Sequence, residues 1–390
     1  MSLFTKIKNQ FSASMILAGT ILGAAIFSLP YVFVQSGLPV FVFYLIFITI
    51  ISTCTHLVYG ESLLRTKGEH RFVGLAEIYL GPWAKKLVTV TTFISIGGSL
   101  LAYLILGGQF IQNFSQTINY PIDLTKAVLI FWFLGSLGVL LGIKLIGLGE
   151  SIALILIIIL VVFFFVLGIP NINFADLNYV NYSQMFLPYG VLLFALSGGS
   201  AVPEIYNYFS RKKLTPQEVN FKKPLVWGSI IPAIIYLMFV LGVVGILGLN
   251  NISFDVIPQL IEKNYILGMA TNLLGIFLII TSYFILALSF KNTLKFDLHF
   301  KNGLAWFFPL FLPISFYFLG VNNFITITGF LGAAILGIES LLNFLIHKKA
   351  QEKGDQTPPF SIKISNPIRI LIVIFLVFGA VLEIVKTFSV

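Results

Sequence analysis

The sequence predicts an all-α integral membrane protein of eleven transmembrane helices, in two oppositely oriented sets of five with one accessory helix. Three observations predict it. Of 390 residues, 58% are hydrophobic and only 10% charged, with a mean hydropathy of +0.98, against about 25% charged in an average soluble domain. Eleven apolar runs, most near the roughly 20 residues that a bilayer requires, alternate with short polar segments. Two of these runs, the first and the sixth, are interrupted by small residues, and Gly199 follows Gly23 by 176 positions.

The first five runs lie near residues 12–36, 38–63, 86–112, 125–143 and 149–169. The second five lie near 185–209, 225–249, 265–290, 303–319 and 322–346, and the accessory run near 367–388. The chain thus divides into a cytoplasmic N-terminus (1–11), a first five-helix repeat (12–169), a second (185–346), a linker (347–366) and an eleventh helix (367–390). With the N-terminus in the cytoplasm, 21 of the 24 basic residues, Lys144 and Lys213 among them, fall on one side. Only Lys126, Lys263 and Lys386 fall on the other. The positive-inside rule fixes this orientation and supports the count, since a missed helix scrambles the alternation. It places the chain in the cytoplasmic (inner) membrane with its C-terminus outside. The polar stretch from His347 to Pro367 reads as a solvated linker.

Composition also excludes function classes. One cysteine, Cys54, rules out an internal disulfide, and the four scattered histidines offer no metal-ligand cluster. No cofactor is expected. The net charge of +9 matches basic loops facing anionic lipid rather than nucleic acid. No cleavable signal peptide is expected, because the first apolar run is long and lacks a small-residue cleavage site after it. The partners expected are the bilayer and a small solute; nothing in the sequence addresses oligomeric state.

The interruption Gly19-Thr20-Ile21-Leu22-Gly23-Ala24-Ala25-Ile26-Phe27-Ser28-Leu29-Pro30 admits two readings. Gly19 and Gly23 have the Gly-x-x-x-Gly spacing of close helix packing. Alternatively the helix unwinds, which hydrocarbon tolerates only where protein, water or a ligand takes up the freed N–H and C=O groups. The sixth run decides for unwinding, with Phe194-Ala195-Leu196-Ser197-Gly198-Gly199-Ser200-Ala201-Val202-Pro203. Paired broken helices, each opening a set of five, are the sequence mark of an inverted-repeat transporter. Half-helix N-termini suit a carboxylate and loose carbonyls suit an ammonium or a cation, so a zwitterionic amino acid satisfies both.

These residues resemble the amino acid-polyamine-organocation superfamily and, within it, bacterial aromatic amino acid permeases related to tryptophan and tyrosine carriers. The resemblance runs over Gly19–Tyr31, over Leu75-Ala76-Glu77 with Leu80-Gly81, over Pro203-Glu204-Ile205, and over Thr281-Ser282-Tyr283 leading to Lys291-Asn292 and Asp297. It implies a leucine-transporter-type fold. It places a substrate carboxylate on the backbone amides around Gly23, Ala24 and Ala25. The amine would meet carbonyls of Ile21, Phe194 and Ala195, with Ser197 nearby and Thr20 and Gly198 in the same interruptions. Many relatives have glycine where Ala25 stands, so this alanine narrows the approach to the carboxylate. The resemblance also implies a sodium site from carbonyls of Gly19 and Leu22 with hydroxyls of Thr281 and Ser282. Oxygen-only ligation is what a hard cation requires. Proton coupling is the rival. Some proton-driven relatives use a fifth-span lysine, and none occurs between Glu150 and Pro170.

Gly97, Gly98, Tyr103, Phe194 and Tyr283 are candidates to surround a substrate side chain, though a Gly-Gly pair serves close packing equally well. Glu204, after the second interruption, is a candidate for coupling or gating, or simply for pairing with a basic residue at the cytoplasmic end. Glu339 and His56 read as buried and hydrogen-bonded; Glu61, Glu150 and Glu383 lie near span ends. The function expected is secondary active transport of an amino acid, possibly aromatic, by alternating access with H⁺ or Na⁺. The alternative is a channel or passive pore, for which no filter-like repeat or ring of charges appears. An enzyme is not expected, since no His-Glu-x-x-His, Gly-x-Ser-x-Gly or close carboxylate pair occurs in the spans.

Overall fold

The structure is a computed structural model that describes residues 3–141, 146–212, 214, 220–249 and 252–388. Lys144 and Lys213 of the charge pattern lie outside the described residues. The helices in chain order are α1 (Leu3–Ile21), α2 (Leu29–Ser36), α3 (Leu38–Leu64), α4 (Phe72–Leu80), α5 (Pro82–Thr117) and α6 (Leu124–Leu141). Then follow α7 (Ile146–Gly168), α8 (Phe174–Leu177), α9 (Leu187–Ala195), α10 (Ala201–Arg211), α11 (Lys222–Leu247) and α12 (Ile257–Lys263). The chain ends with α13 (Tyr265–Phe296), α14 (Asn302–Phe318), α15 (Phe324–Phe330), α16 (Gly337–Lys353) and α17 (Asn366–Phe388). No strand occurs among the described residues.

Among the described residues six helices are long and apolar enough to cross a membrane, and seven if the bent pair α1/α2 counts as one span; α6 and α14 are shorter apolar helices. A π-helical turn, Leu331–Leu336, joins α15 to α16 within one continuous apolar stretch. The helices with low amphipathicity are those expected in a bilayer, where the lipid-facing side is as apolar as the packed side.

Both interruptions are real breaks in the helical backbone. α1 stops at Ile21, Gly23 is extended (φ −108°, ψ −152°), and Ala24–Ser28 form a 3₁₀ turn before α2. The axis bends by 52° across this break. Pro30 sits in the first turn of α2, where a missing N–H is no loss. The second break runs from Leu196 to Ser200, and Pro203 sits in the first turn of α10. α1 packs on α11 and α10, while α9 packs on α3 and the π turn. The contact between α9 and the π turn is backbone on backbone: a Cβ on Gly190 or Gly332 would collide with the carbonyl of Gly329 or Gly190. Small residues permit such approach.

Beyond the first break the packing is aromatic. Phe27, fully buried, lies edge-on to Phe110 (centroids 4.8 Å) and Phe239 (6.0 Å). Nearby, Gly37 has φ +87° and leaves no room for a Cβ against the Tyr179 carbonyl, and the Tyr179 hydroxyl bonds the Val34 carbonyl. The opposite end carries the basic loops.

The linker carries an anchorage that its polarity did not announce. Glu61, fully buried, accepts hydrogen bonds from Arg65 Nε (2.8 Å), Ser361 Oγ (3.0 Å), the Ile362 amide (2.7 Å) and Gln351 Nε2 (3.4 Å), and pairs with His347 Nε2 at 2.9 Å. Asp355 Oδ1 accepts from the Lys67 amide at 2.9 Å, and Phe360 stacks on Phe221. Residues 354–365 stay largely exposed, as a linker should, but are also docked at these points, because a buried carboxylate demands the donors that this segment brings.

Candidate substrate site

The two breaks face each other across one cavity of about 180 Å³, many times the 10–15 Å³ needed by a single water. From the first break it is lined by Thr20, Ile21, Gly23 and Ala25, and from the second by Phe194, Ala195, Ser197 and Gly199. Tyr103 on α5 and Ser282 on α13 complete this end. The cavity runs on toward the basic end past Ser95 and Ser99 (α5), His56 and Tyr59 (α3), Ser289 and Thr293 (α13) and Glu339 and Asn343 (α16), reaching Arg71 and Phe72.

Tyr236 on α11 joins the breaks directly. Its buried hydroxyl lies 2.5 Å from the Ile21 carbonyl and 3.0 Å from the Ala195 carbonyl, so one O–H serves the last carbonyls of both half-helices. Those carbonyls have no intrahelical partner and lie where water is scarce. The second break is held in addition by His56, buried on α3. The Ser229 hydroxyl donates to the Leu225 carbonyl at 2.8 Å, which leaves its oxygen to accept from His56 Nδ1 at 2.8 Å. His56 Nε2 then accepts from the Gly198 amide at 3.1 Å. The network thus assigns the neutral Nδ1–H tautomer.

Gly23 has ordinary negative φ, so its glycine answers to space rather than to backbone conformation. A Cβ there would sit 2.6 Å from Tyr103 Oη. The hydroxyl of Tyr103 therefore lies against Gly23 at the first break, where a phenol O–H and backbone N–H groups are both donors suited to a carboxylate.

Not every residue expected here is present. Ala24 is buried and outside the cavity lining, and Gly198 faces Leu17 and Ile21 while its amide bonds His56. Gly97 packs on Leu312 and Phe316, and Gly98 on Leu331, so this pair serves helix contacts with α14 and the π turn. Tyr283 turns away from the cavity to meet Phe131 edge-on at 5.9 Å and to cover Gly135 on α6. Of the four residues expected to hold a cation, Ser282 lines the cavity. Thr281 donates to the Leu278 carbonyl at 2.9 Å, the ordinary bond of a helical threonine, and Gly19 and Leu22 are outside the lining.

Glu204 forms an ion pair with Arg71 Nη2 at 2.6 Å, at the basic end of the cavity. Asp297, just past α13, braces the same region by accepting from the amides of Gly74 (2.8 Å) and Arg71 (3.3 Å) at the start of α4. Burial pushes its carboxyl above the usual aspartate range, partly offset by those two bonds.

Sequence reading passed over Tyr236 and Arg71. The available signal for Tyr236 was a phenol in mid-membrane, whose hydroxyl must find a partner. The partners themselves are 215 and 41 residues away in sequence.

The tryptophan/tyrosine permease family model matches residues 6–383. The chain belongs to that family. A curated relative, Glutamine transporter 2 of Aliivibrio fischeri, is 22% identical over 334 residues, 84% of this chain and 85% of its own. Among solved structures, MhsT in complex with L-phenylalanine matches with a TM-score of 0.70 at 14% identity, covering 97% of this chain and 98% of MhsT. The permease therefore has the leucine-transporter-type fold. It is a multi-pass membrane protein of an amino acid transporter family, and not an enzyme.

Proposed function

We propose that the permease is a secondary active transporter that carries an amino acid across the cytoplasmic membrane by alternating access, in symport with H⁺ or Na⁺. The observation that carries this reading is the pair of helix breaks, stitched by Tyr236, that open onto one cavity. The substrate carboxylate lies against the amides of the first break and the Tyr103 hydroxyl. The ammonium lies against remaining lone pairs of the Ile21, Phe194 and Ala195 carbonyls, with Ser197 beside it. Eleven spans in two inverted sets of five place the N-terminus inside and the C-terminus outside. The cavity then opens toward the cytoplasm, with Phe27 closing the outer side and the Arg71–Glu204 pair standing at the inner end.

The family name and the relatives' ligands nominate tryptophan, tyrosine, phenylalanine and glutamine as first substrates. In the sodium form of the reading, Gly19, Leu22, Thr281 and Ser282 supply the cation's oxygens. Uptake of these labelled amino acids into proteoliposomes, under imposed proton or sodium gradients, tests the proposal. Gradient-driven accumulation is expected, together with counterflow of preloaded substrate, which a carrier performs and a pore does not. Absence of gradient-dependent uptake for every amino acid overturns it.

A further inference from the structure

Glu339 is a carboxyl inside an apolar helical stretch that faces the cavity. Its Oε1 accepts from Ser95 Oγ at 3.0 Å, and no basic group pairs with it among the described residues. The surrounding wall is hydroxyl-rich, with Thr92, Ser95 and Ser99 on α5 and Ser340 beside it on α16. An ionised carboxylate without a cation is costly at such depth, and membrane proteins retain such groups chiefly where they move protons or ions.

Most other titratable groups nearby are already engaged. On α3, His56 is held by Gly198 and Ser229, and Glu61 with His347 of α16 forms the buried pair at the basic end. Tyr59 of α3 lines the same cavity with its phenol. At the start of α4, Arg71 is taken by Glu204, and within α4 Glu77 pairs with Lys85 of α5 at 2.7 Å. On α5, Lys86 is exposed. α17 brings Arg369 and Glu383, and neither lines the cavity.

Position separates Glu339 from the substrate. Ser95 precedes Tyr103 by eight residues on α5, about 12 Å along the axis at 1.5 Å per residue. A zwitterion held at the first break would not reach that far with an ordinary side chain. Glu339 lies on the route between the breaks and the basic end, where a proton can arrive or leave independently of the amino acid.

We propose that Glu339 is the proton-binding site that couples transport to the proton gradient, resting on the transport reading above. The carboxylate takes up one proton with inward movement of the substrate and releases it to the cytoplasm through the water-accessible part of the cavity. No other bond changes. Ser95 donates to either form, to a carboxylate oxygen or to the carbonyl oxygen of the acid.

The test compares wild type with Glu339→Gln in proteoliposomes, using whichever of the four amino acids the wild type accumulates and a trapped pH dye. Glu339→Gln keeps an oxygen for Ser95 and is fixed in the neutral form. Counterflow should persist, while accumulation driven by a pH gradient and substrate-induced proton entry should fall at least tenfold. Glu339→Asp should restore proton-coupled uptake in part. Proton-driven accumulation at wild-type level in Glu339→Gln overturns the proposal. So does accumulation by the wild type that responds to sodium alone, which leaves the transport reading standing. A wild type that transports no amino acid under any gradient overturns the transport reading itself. If Glu339→Gln does not insert, Ser95→Ala replaces it, with loss of one of the carboxylate's two hydroxyl partners, Ser95 and Thr91, expected to shift the pH profile of uptake while counterflow remains.

Discussion

The Tyr236 hydroxyl lies 2.5 Å from the carbonyl of Ile21, and the same oxygen is 3.0 Å from the carbonyl of Ala195. A single phenol thereby fixes the separation of the two half-helices that end at the cavity. Replacing it by phenylalanine leaves ring packing intact and takes the phenol's bond from the Ala195 carbonyl, while the Ile21 carbonyl keeps the Gly23 amide at 2.8 Å. Leaving such a group unsatisfied costs about 1–3 kcal/mol. Tyr236→Phe should lower the thermal unfolding midpoint in detergent and weaken amino acid uptake. An unchanged midpoint and unchanged uptake together would show that the bridge carries no weight.

Gly23 and Tyr103 form a second pair whose coupling is measurable. A methyl at position 23 would sit 2.6 Å from Tyr103 Oη and 3.3 Å from Cζ, so the hydroxyl is the chief obstruction. Gly23→Ala should reduce uptake, Tyr103→Phe should reduce it by removing a donor, and the double variant should lose less than the sum. Residues in contact show interaction energies of about 0.5–3 kcal/mol in such cycles. Gly23→Leu should abolish uptake while membrane insertion is retained, and additive single effects would argue against the contact.

At the basic end, Arg71 and Glu204 are only partly exposed, at 10% and 32% of their side chains. Their pairing should therefore exceed the roughly 0–1 kcal/mol of a fully solvated pair. Glu204→Arg should impair uptake, and adding Arg71→Glu should restore it in part. Failure of the swap to rescue, with both proteins folded, would assign Glu204 a role beyond pairing with Arg71.

Asp297 gives a pH prediction. Its folded carboxyl titrates above the ordinary aspartate value of 3.8 because it is buried. Between the unfolded and folded values the native state binds more protons, so stability rises as pH falls through that window and is lost as pH rises through the folded value. Asp297→Asn removes the titration and keeps an oxygen for one of the two amides, which bond different carboxylate oxygens in the wild type. Midpoints measured from pH 4 upward should fall with rising pH in the wild type more than in this variant. Equal slopes would refute the assignment.

Much of this arrangement was legible in the sequence because it is local. Gly23 and the run Ser197–Gly199 mark breaks through composition alone, and Pro30 and Pro203 mark where helices resume. The helices found lie on the apolar runs, with Phe324–Lys353 continuous through the π turn. Side-chain direction was not legible. Tyr283 and Gly97 share their helices with cavity residues, yet face α6 and α14, because a turn of helix carries neighbours to opposite sides. Partnerships across long separations were equally hidden: Arg71 with Glu204, Ser95 with Glu339, and His56 with Gly198. The docking of residues 354–365 was missed because their polarity resembles that of solvated linkers, and only the buried Glu61 explains their donors.

The Glu61 cluster has a mechanical consequence. One carboxylate binds α3, the end of α16 and the strap leading to α17, so these parts share a single anchorage. Severing it by Glu61→Ala should unclamp the strap and speed protease cleavage around the already exposed Asp355. α17 then becomes the tethered outrigger of a frame that is fastened at its basic end, away from the two helix breaks.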